Sequence, residues 1–83
     1  MATFKFETES RFGKFFAHLR KAGDPKPDLT KQPALDSAKA MGDFLADEVD
    51  RVGLVERQDS IIWRNHSYED FDQLADEIRR ANY

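Results

Sequence analysis

The residues with the greatest potential for chemistry in this sequence are its two histidines, the serine at position 60 and its carboxylates. His18 and His66 stand apart, without a second histidine at the spacing of a helical zinc site, and the sequence has no glycine-rich phosphate loop. Ser60 lacks the G-x-S-x-G context that presents a nucleophile. Cysteine is absent, which excludes disulfides and thiol catalysis. Catalysis needs convergent acid, base or nucleophilic groups, so the sequence predicts a protein that is not an enzyme and holds no metal or cofactor.

The composition is typical of one small domain spanning residues 1–83. Hydrophobic residues make up 40% of the chain and include seven Phe, one Trp and two Tyr, which is too apolar for a disordered segment. No apolar run approaches the roughly 18 residues that span a bilayer, and residues 1–7 lack the apolar centre of a signal peptide. We therefore expect no membrane contact and a cytoplasmic location.

Two patterns open the chain. Apolar and polar residues alternate over residues 2–7, with Ala2, Phe4 and Phe6 on one side, which predicts a strand with one buried face. Over residues 10–22 the apolar positions follow the i, i+3, i+4, i+7 spacing of an amphipathic helix. These positions are Phe12, Phe15, Phe16, Leu19 and Ala22. Gly13 costs such a helix about 1 kcal/mol relative to alanine, and Gly23 is placed to end it.

Two further helices are predicted beyond a proline-rich loop at residues 24–33. The first covers residues 34–52, with Pro33 at its start and Gly53 at its end. The second covers residues 68–81, with Ser67 as its N-cap. Acidic residues crowd the first turn of this last helix and two arginines close its last turn, which is the order that the helix dipole favours.

The stretch from residue 53 to residue 64 gathers β-branched and aromatic residues around a polar centre, which predicts a β-hairpin. Its strands would be residues 54–57 and 61–64, with residues 57–60 as the turn. This turn lacks the Asn-Gly or Asp-Gly pair of a tight hairpin, so two registers stay open. The favoured register buries Trp63 with Leu54 and leaves Val55 and Ile62 on the opposite face. The other register exposes Trp63.

The predicted fold is therefore α+β with the order β-α-α-β-β-α. An isolated hairpin is marginal in water, so strand 2–7 is expected to join it in a three-stranded antiparallel sheet with strands 54–57 and 61–64. Helices 10–22, 34–52 and 68–81 would pack mainly on one face. Because one layer of helices covers one face only, the second face either binds a partner or is covered by the loop at residues 24–33.

Charge is distributed unevenly along the chain. Residues 1–35 hold seven Lys and Arg against four Asp and Glu, whereas residues 36–83 hold six against twelve, within a net charge of −3. Such a chain can orient itself on a protein partner or on a second copy of itself. The predicted partner-binding residues combine a basic helix face with the second face of the hairpin. They are Arg11, Lys14, His18, Lys21, Val55, Arg57, Ile62 and Arg64.

The predicted function is a small non-catalytic protein-binding module that masks or bridges a partner surface. Its size and charge are analogous to those of phage or mobile-element inhibitors, anti-CRISPR-like proteins among them. A homodimer is an alternative. A nucleic-acid-binding regulator with winged-helix-like topology is another, but the recognition helix would be residues 34–52, whose exposed carboxylates repel phosphate. Those acidic faces could instead stand in for phosphates before a nucleic-acid-binding partner, or they are only solvated.

Overall fold

The chain begins with a long β-hairpin in the computed structural model, which describes residues 2–82. Strand β1 (Thr3–Arg11) and strand β2 (Lys14–Lys21) pair antiparallel along their whole length. A two-residue turn at Phe12 and Gly13 joins them, with φ of 58° and 71°. Consecutive positive φ angles are those of a tight primed hairpin turn. The predicted helix over residues 10–22 is therefore wrong.

The helical spacing of residues 10–22 arose because β2 carries apolar side chains on both faces. Phe15, Ala17 and Leu19 alternate toward the helices, and Phe16 points the opposite way. Phe16 is nevertheless buried, because the loop after β2 packs on β1 and β2 through a short 3-10 turn, Leu29–Lys31, whose Leu29 is also buried. The proline-rich loop thus covers part of the second face, as one alternative predicted.

Helix α1 (Ala38–Val52) starts four residues later than predicted. Ser37 caps it by accepting a hydrogen bond from the Ala40 amide at 3.1 Å, and Gly53 ends it in the left-handed conformation, as predicted. Leu35, expected inside the helix, instead exchanges two backbone hydrogen bonds with Phe15. This bridge protects part of the outer edge of β2, which would otherwise be free to pair with another strand.

The hairpin expected at residues 54–64 lies further along the chain. Residues 53–58 form turns, so the predicted strand 54–57 is wrong. Strand β3 (Ser60–Trp63) pairs antiparallel with strand β4 (His66–Tyr68) across a turn at residues 64 and 65, both with positive φ. The predicted turn at residues 57–60 is also wrong, and Ser67 belongs to β4 and not to a helix cap.

The sheet has four strands in the order β2-β1-β3-β4. β1 and β3 run parallel, so the prediction of an entirely antiparallel three-stranded sheet is wrong. Helix α2 (Phe71–Arg79) is shorter than predicted and is capped by Asp70, which accepts a hydrogen bond from the Gln73 amide at 3.1 Å. Two helices therefore pack on the sheet where three were predicted, and the winged-helix order does not occur in residues 2–82. The α+β class is confirmed.

The core lies between the helices and one face of the sheet. The sheet contributes Phe4, Phe6, Ile61 and Trp63, and the helices contribute Met41, Leu45, Leu74 and Ile78. Trp63 is 6% exposed, and its indole Nε1 donates a hydrogen bond to Thr8 Oγ1 at 3.0 Å. The alternation of β3 therefore buries Ile61 and Trp63 and turns Ile62 to the other face, as in the favoured register.

Asp43 joins the two helices. Its carboxylate accepts hydrogen bonds from Lys39 Nζ on α1 at 3.0 Å and from Arg79 Nε on α2 at 2.9 Å. These bonds, first that from Lys39, hold the pKa of the Asp43 carboxyl below its ordinary value of 3.8. Since this pKa is lower in the folded state than in the unfolded state, the stabilisation is present above the unfolded value and is lost as the pH falls through the folded value.

We expect Asp43→Asn to lower the free energy of unfolding near neutral pH and to flatten its fall below about pH 4, where aspartate titrates. Urea midpoints measured between about pH 2.5 and 7 test this expectation. Asp47→Asn removes the same charge from an exposed site on the same helix and serves as the control. If the free energy of unfolding of both variants fell with decreasing pH as steeply as that of wild type, the ion pairs of Asp43 would make no contribution to stability.

Candidate functional site

The helices leave one face of the sheet without a second layer, and we call it the open face. Strand alternation and the register between strands place charged side chains over most of it. The open face consists of Thr3, Lys5, Glu7, Glu9 and Arg11 on β1, Lys14, Phe16, His18 and Arg20 on β2, Ser60 and Ile62 on β3, and Ser67 on β4. Its β2 side is partly covered by the loop that buries Phe16, so the uncovered part lies over β1 and β3.

A shallow cleft of about 200 Å³ occupies this uncovered part. The half-buried Ile62 lies in it, between Lys5 on the neighbouring strand and Arg64 in the turn that follows β3. The Arg64 guanidinium also lies 4.5 Å from the centre of the Trp63 ring, a cation–π contact that holds the arginine against the sheet. The cleft is thus lined by one aliphatic side chain, by Lys5 and Arg64, and by Glu7, whose carboxylate accepts a hydrogen bond from Arg20.

Both carboxylates of the open face are engaged by arginines. Arg20 Nη2 donates to Glu7 Oε1 at 3.1 Å, and the Arg20 side chain is only 12% exposed because its Nη1 also donates to the Asp24 carbonyl. Arg11 Nη2 donates to Glu9 Oε1 at 2.5 Å. The net positive charge of this face therefore comes from its lysines.

The predicted partner-binding residues do not form one surface. Arg11, Lys14, His18 and Ile62 lie on the open face, and Arg64 lies beside it. Lys21 is turned to the opposite face, because strand alternation and not a helical period governs β2.

Val55 and Arg57 lie at the far end of the molecule, in the turns that precede β3. The Arg57 guanidinium is 5.8 Å from the centre of the Phe4 ring, and its Nε lies 3.2 Å from Asp59 Oδ2.

Arg20 belongs to the open face and was not predicted. A strand period over β2 would have placed it with Lys14 and His18.

A second surface lies at the end of the molecule where β1 begins, and we call it the end groove. It joins two cavities of about 340 and 260 Å³, both lined by Val55, Glu69 and Phe71. Further lining comes from Leu54, Asp59, Val49, Asp50, Asp70 and Asp72. Val55 is 61% exposed within it, although it is a large apolar residue. The groove therefore combines an apolar surface with an acidic rim.

Asp59 is the buried carboxylate of the end groove, with a side chain that is 1% exposed. Its Oδ1 accepts the Ala2 amide hydrogen at 2.7 Å. Its Oδ2 lies near Arg57 but accepts no hydrogen bond. Arg57 therefore already supplies a cation beside this buried carboxylate.

A third feature is the tip of the first hairpin, residues 11–14, which we call the tip. Phe12 at its centre is 84% exposed and adopts a φ of 58°. This left-handed conformation costs a residue with a Cβ about 1–2 kcal/mol, and the position favours asparagine or glycine. Arg11 and Lys14 flank the exposed ring. The tip is thus an exposed aromatic residue between two cations, and its conformation does not favour phenylalanine.

The charge asymmetry of the sequence becomes a spatial one. Residues 36–52 and 69–80, which contain the two helices, carry ten Asp and Glu against four Lys and Arg. The open face and the tip are basic, so acidic and basic surfaces lie on different sides and ends of the fold. Within residues 2–82, no group of three or more acidic or histidine side chains is arranged to hold a metal ion, and no helix is long and apolar enough to cross a membrane.

Comparison with known proteins gives no family for this chain. No protein-family model, curated protein or solved structure matched it. The open face, the end groove and the tip are the candidate binding surfaces of the described residues.

Proposed function

We propose that this chain is a non-catalytic protein-binding module that masks or bridges an acidic surface of another protein. The binding site is the uncovered part of the open face. One observation carries this proposal: Ile62 shares a shallow cleft with Lys5 on a sheet face that has no second layer there, and Arg64 also lines this cleft. Masking such a surface is the mode of action of a small inhibitor, which is the role we propose by analogy with phage and mobile-element proteins.

The chemistry of the cleft supports a protein partner over a small molecule. Small-molecule sites occupy about 300–1,000 Å³ and enclose most of the ligand, whereas this cleft measures about 200 Å³ and is shallow. Burying one isoleucine side chain contributes about 1.5–3 kcal/mol, which anchors a contact but does not complete one. The flanking cations then steer an acidic partner and fix its orientation.

Double charge reversal tests the proposal. We expect Lys5→Glu with Arg64→Glu to weaken capture of the partner from the native host at least tenfold, because both cations beside Ile62 become repulsive to an acidic surface. Capture is measured by quantitative affinity purification with the tagged wild-type chain, at equal loading. The thermal midpoint should stay close to that of wild type, because the lost Arg64–Trp63 contact is worth about 0.5–1 kcal/mol.

The matched control is Lys39→Glu with Arg51→Glu, which changes the net charge equally but on α1. Each of these residues takes part in an exposed ion pair, with Asp43 and Glu48 respectively, so the control should bind as wild type and fold with a small loss of stability. Equal loss of capture in both double variants would show that only net charge matters. Undiminished capture by the Lys5 and Arg64 variant would move the interface away from the open face.

A nucleic-acid-binding regulator is the second candidate, supported by the grouping of cations around the open face. Arg11 and Lys14 lie on this face, and Arg64 lies beside it. Binding to labelled single- and double-stranded oligonucleotides between about 20 and 200 mM salt separates the candidates, since phosphate contacts weaken steeply with salt. Absence of binding at the lowest salt eliminates this candidate.

A further inference from the structure

Phe12 is poorly suited to its place in the monomer. Its ring is 84% exposed, and its φ of 58° suits asparagine or glycine better. A residue that is unfavourable by both measures is suited to a contact outside the monomer. Arg11 and Lys14 on either side restrict the chemistry of that contact to an apolar surface with an acidic rim.

The end groove has the complementary chemistry. Val55 and Phe71 supply an apolar surface, and Asp50, Asp70 and Asp72 line the adjoining cavity. The acidic rim favours a cationic occupant. The buried Asp59 carboxylate beside this surface already has a cation of its own, because Arg57 Nε lies 3.2 Å from its Oδ2.

We propose that the tip of one copy of this chain inserts into the end groove of a second copy. The Phe12 ring packs against Val55 and Phe71, and the two flanking cations approach the acidic rim. Aromatic residues in apolar pockets anchor protein interfaces, and opposite charges around them orient the two surfaces.

The geometry makes this contact intermolecular. β1 begins at the end groove, where the Ala2 amide binds Asp59, and runs to Arg11 at the tip. Nine residues of strand span about 30 Å, and the longest dimension of the molecule is 36 Å. Tip and groove thus lie at opposite ends, so two copies joined end to end by one contact leave one free tip and one free groove. Repeated end to end, such a head-to-tail contact builds open chains.

The contact is small, so we expect a dissociation constant on the order of 100 µM to 1 mM, as in weak transient interfaces. Sedimentation equilibrium of the wild-type chain from about 10 µM to 1 mM measures it. The weight-average mass should rise continuously with concentration at about 20 mM salt and return toward the monomer at about 300 mM, because the rim contacts are screened.

Two complementary variants identify the surfaces. Phe12→Asn removes the anchor and suits the turn, and Val55→Lys with Glu69→Lys places cations in the groove. Each variant alone should remain monomeric, with its dissociation constant raised at least tenfold. An equimolar mixture should form a dimer and nothing larger, because the first variant keeps its groove and the second keeps its tip. Circular dichroism confirms that both variants are folded.

The proposal fails if wild type is monomeric at 1 mM in about 20 mM salt, or if Phe12→Asn associates as wild type does. It also fails if the mixture of two monomeric variants stays monomeric, which includes the case of a groove that binds only basic segments of other proteins. The Lys5 and Arg64 double variant should associate like wild type. Self-association and partner capture use different surfaces, so either proposal can fail alone.

Discussion

Replacing Trp63 with alanine is expected to lower the free energy of unfolding by about 3–5 kcal/mol, the usual cost of deleting a large buried aromatic side chain. Trp63 lies in the core and donates a hydrogen bond to Thr8 on β1, so the substitution removes both apolar packing and a tie across the sheet. A domain of 83 residues has a total stability of about 4–12 kcal/mol, so a large share is lost. Urea unfolding followed by far-ultraviolet circular dichroism measures the change, because the variant lacks the only tryptophan in the sequence.

Two milder variants separate packing from hydrogen bonding at this site. Trp63→Phe keeps most of the apolar surface and should cost clearly less than Trp63→Ala. Thr8→Val removes the side-chain acceptor and leaves a largely buried indole N–H without its bond, at a cost of about 1–3 kcal/mol. A loss below about 1 kcal/mol for Trp63→Ala would contradict the placement of this ring in the core.

Replacing Gly42 with valine is expected to destabilise the fold by about 1–3 kcal/mol or more, because α1 and α2 are packed closely at this glycine. A Cβ at position 42 would lie 2.7 Å from the Ala75 carbonyl oxygen, which is backbone and cannot rotate away, and would also meet the side chain of Arg79. The helices would have to separate. That movement would also disturb the bond between Arg79 and Asp43.

Gly42→Ala tests the same contact against helix propensity. Alanine gains about 1 kcal/mol over glycine within a helix, so the net loss should be smaller than for valine but should retain its sign. Asp47→Ala on the exposed face of α1 gains propensity without a steric cost and should be neutral or stabilising. Urea midpoints of the three variants provide the comparison. A Gly42→Ala variant more stable than wild type would show that the helices yield without cost at this point.

Local patterns predicted the elements whose apolar residues all lie on one side. The stripes that contain Leu45 in α1 and Leu74 in α2 gave the right helices, and only their ends were misplaced. The alternation of Phe4 and Phe6 likewise predicted β1, because one buried face is enough to define a strand period.

β2 could not be predicted in this way. Phe16 is covered by Leu29, a residue of the loop between β2 and α1. No periodicity within the strand reveals that this loop covers it. When Phe16 is counted among the residues that face the core, its spacing from Phe15 and Leu19 matches that of an amphipathic helix. The Phe12-Gly13 pair forms the hairpin turn. It was not recognised as a turn because phenylalanine is uncommon at such a position.

The binding surfaces were only partly predicted, because local patterns give the direction of a side chain on a strand but not the position of a turn. The outward direction of Ile62 follows from the alternation of β3. Val55 and Arg57 were assigned to the same face, but the turns before β3 carry Val55 to the end groove and Arg57 to the ring of Phe4. The bond between Asp59 and Ala2 helps to hold those turns, and its partners are 57 residues apart, so no local pattern reveals it.

The parallel pairing of β1 with β3 has a consequence for biosynthesis. The first hairpin is local and can form while the ribosome is still adding later residues. However, β1 keeps one hydrogen-bonding edge open until residues Ser60 to Ile62 have been synthesised. Until that point Phe4 also lacks its neighbour Ile61. A nascent chain that stalls before this point exposes both an unpaired strand edge and aromatic surface, and is therefore prone to aggregation.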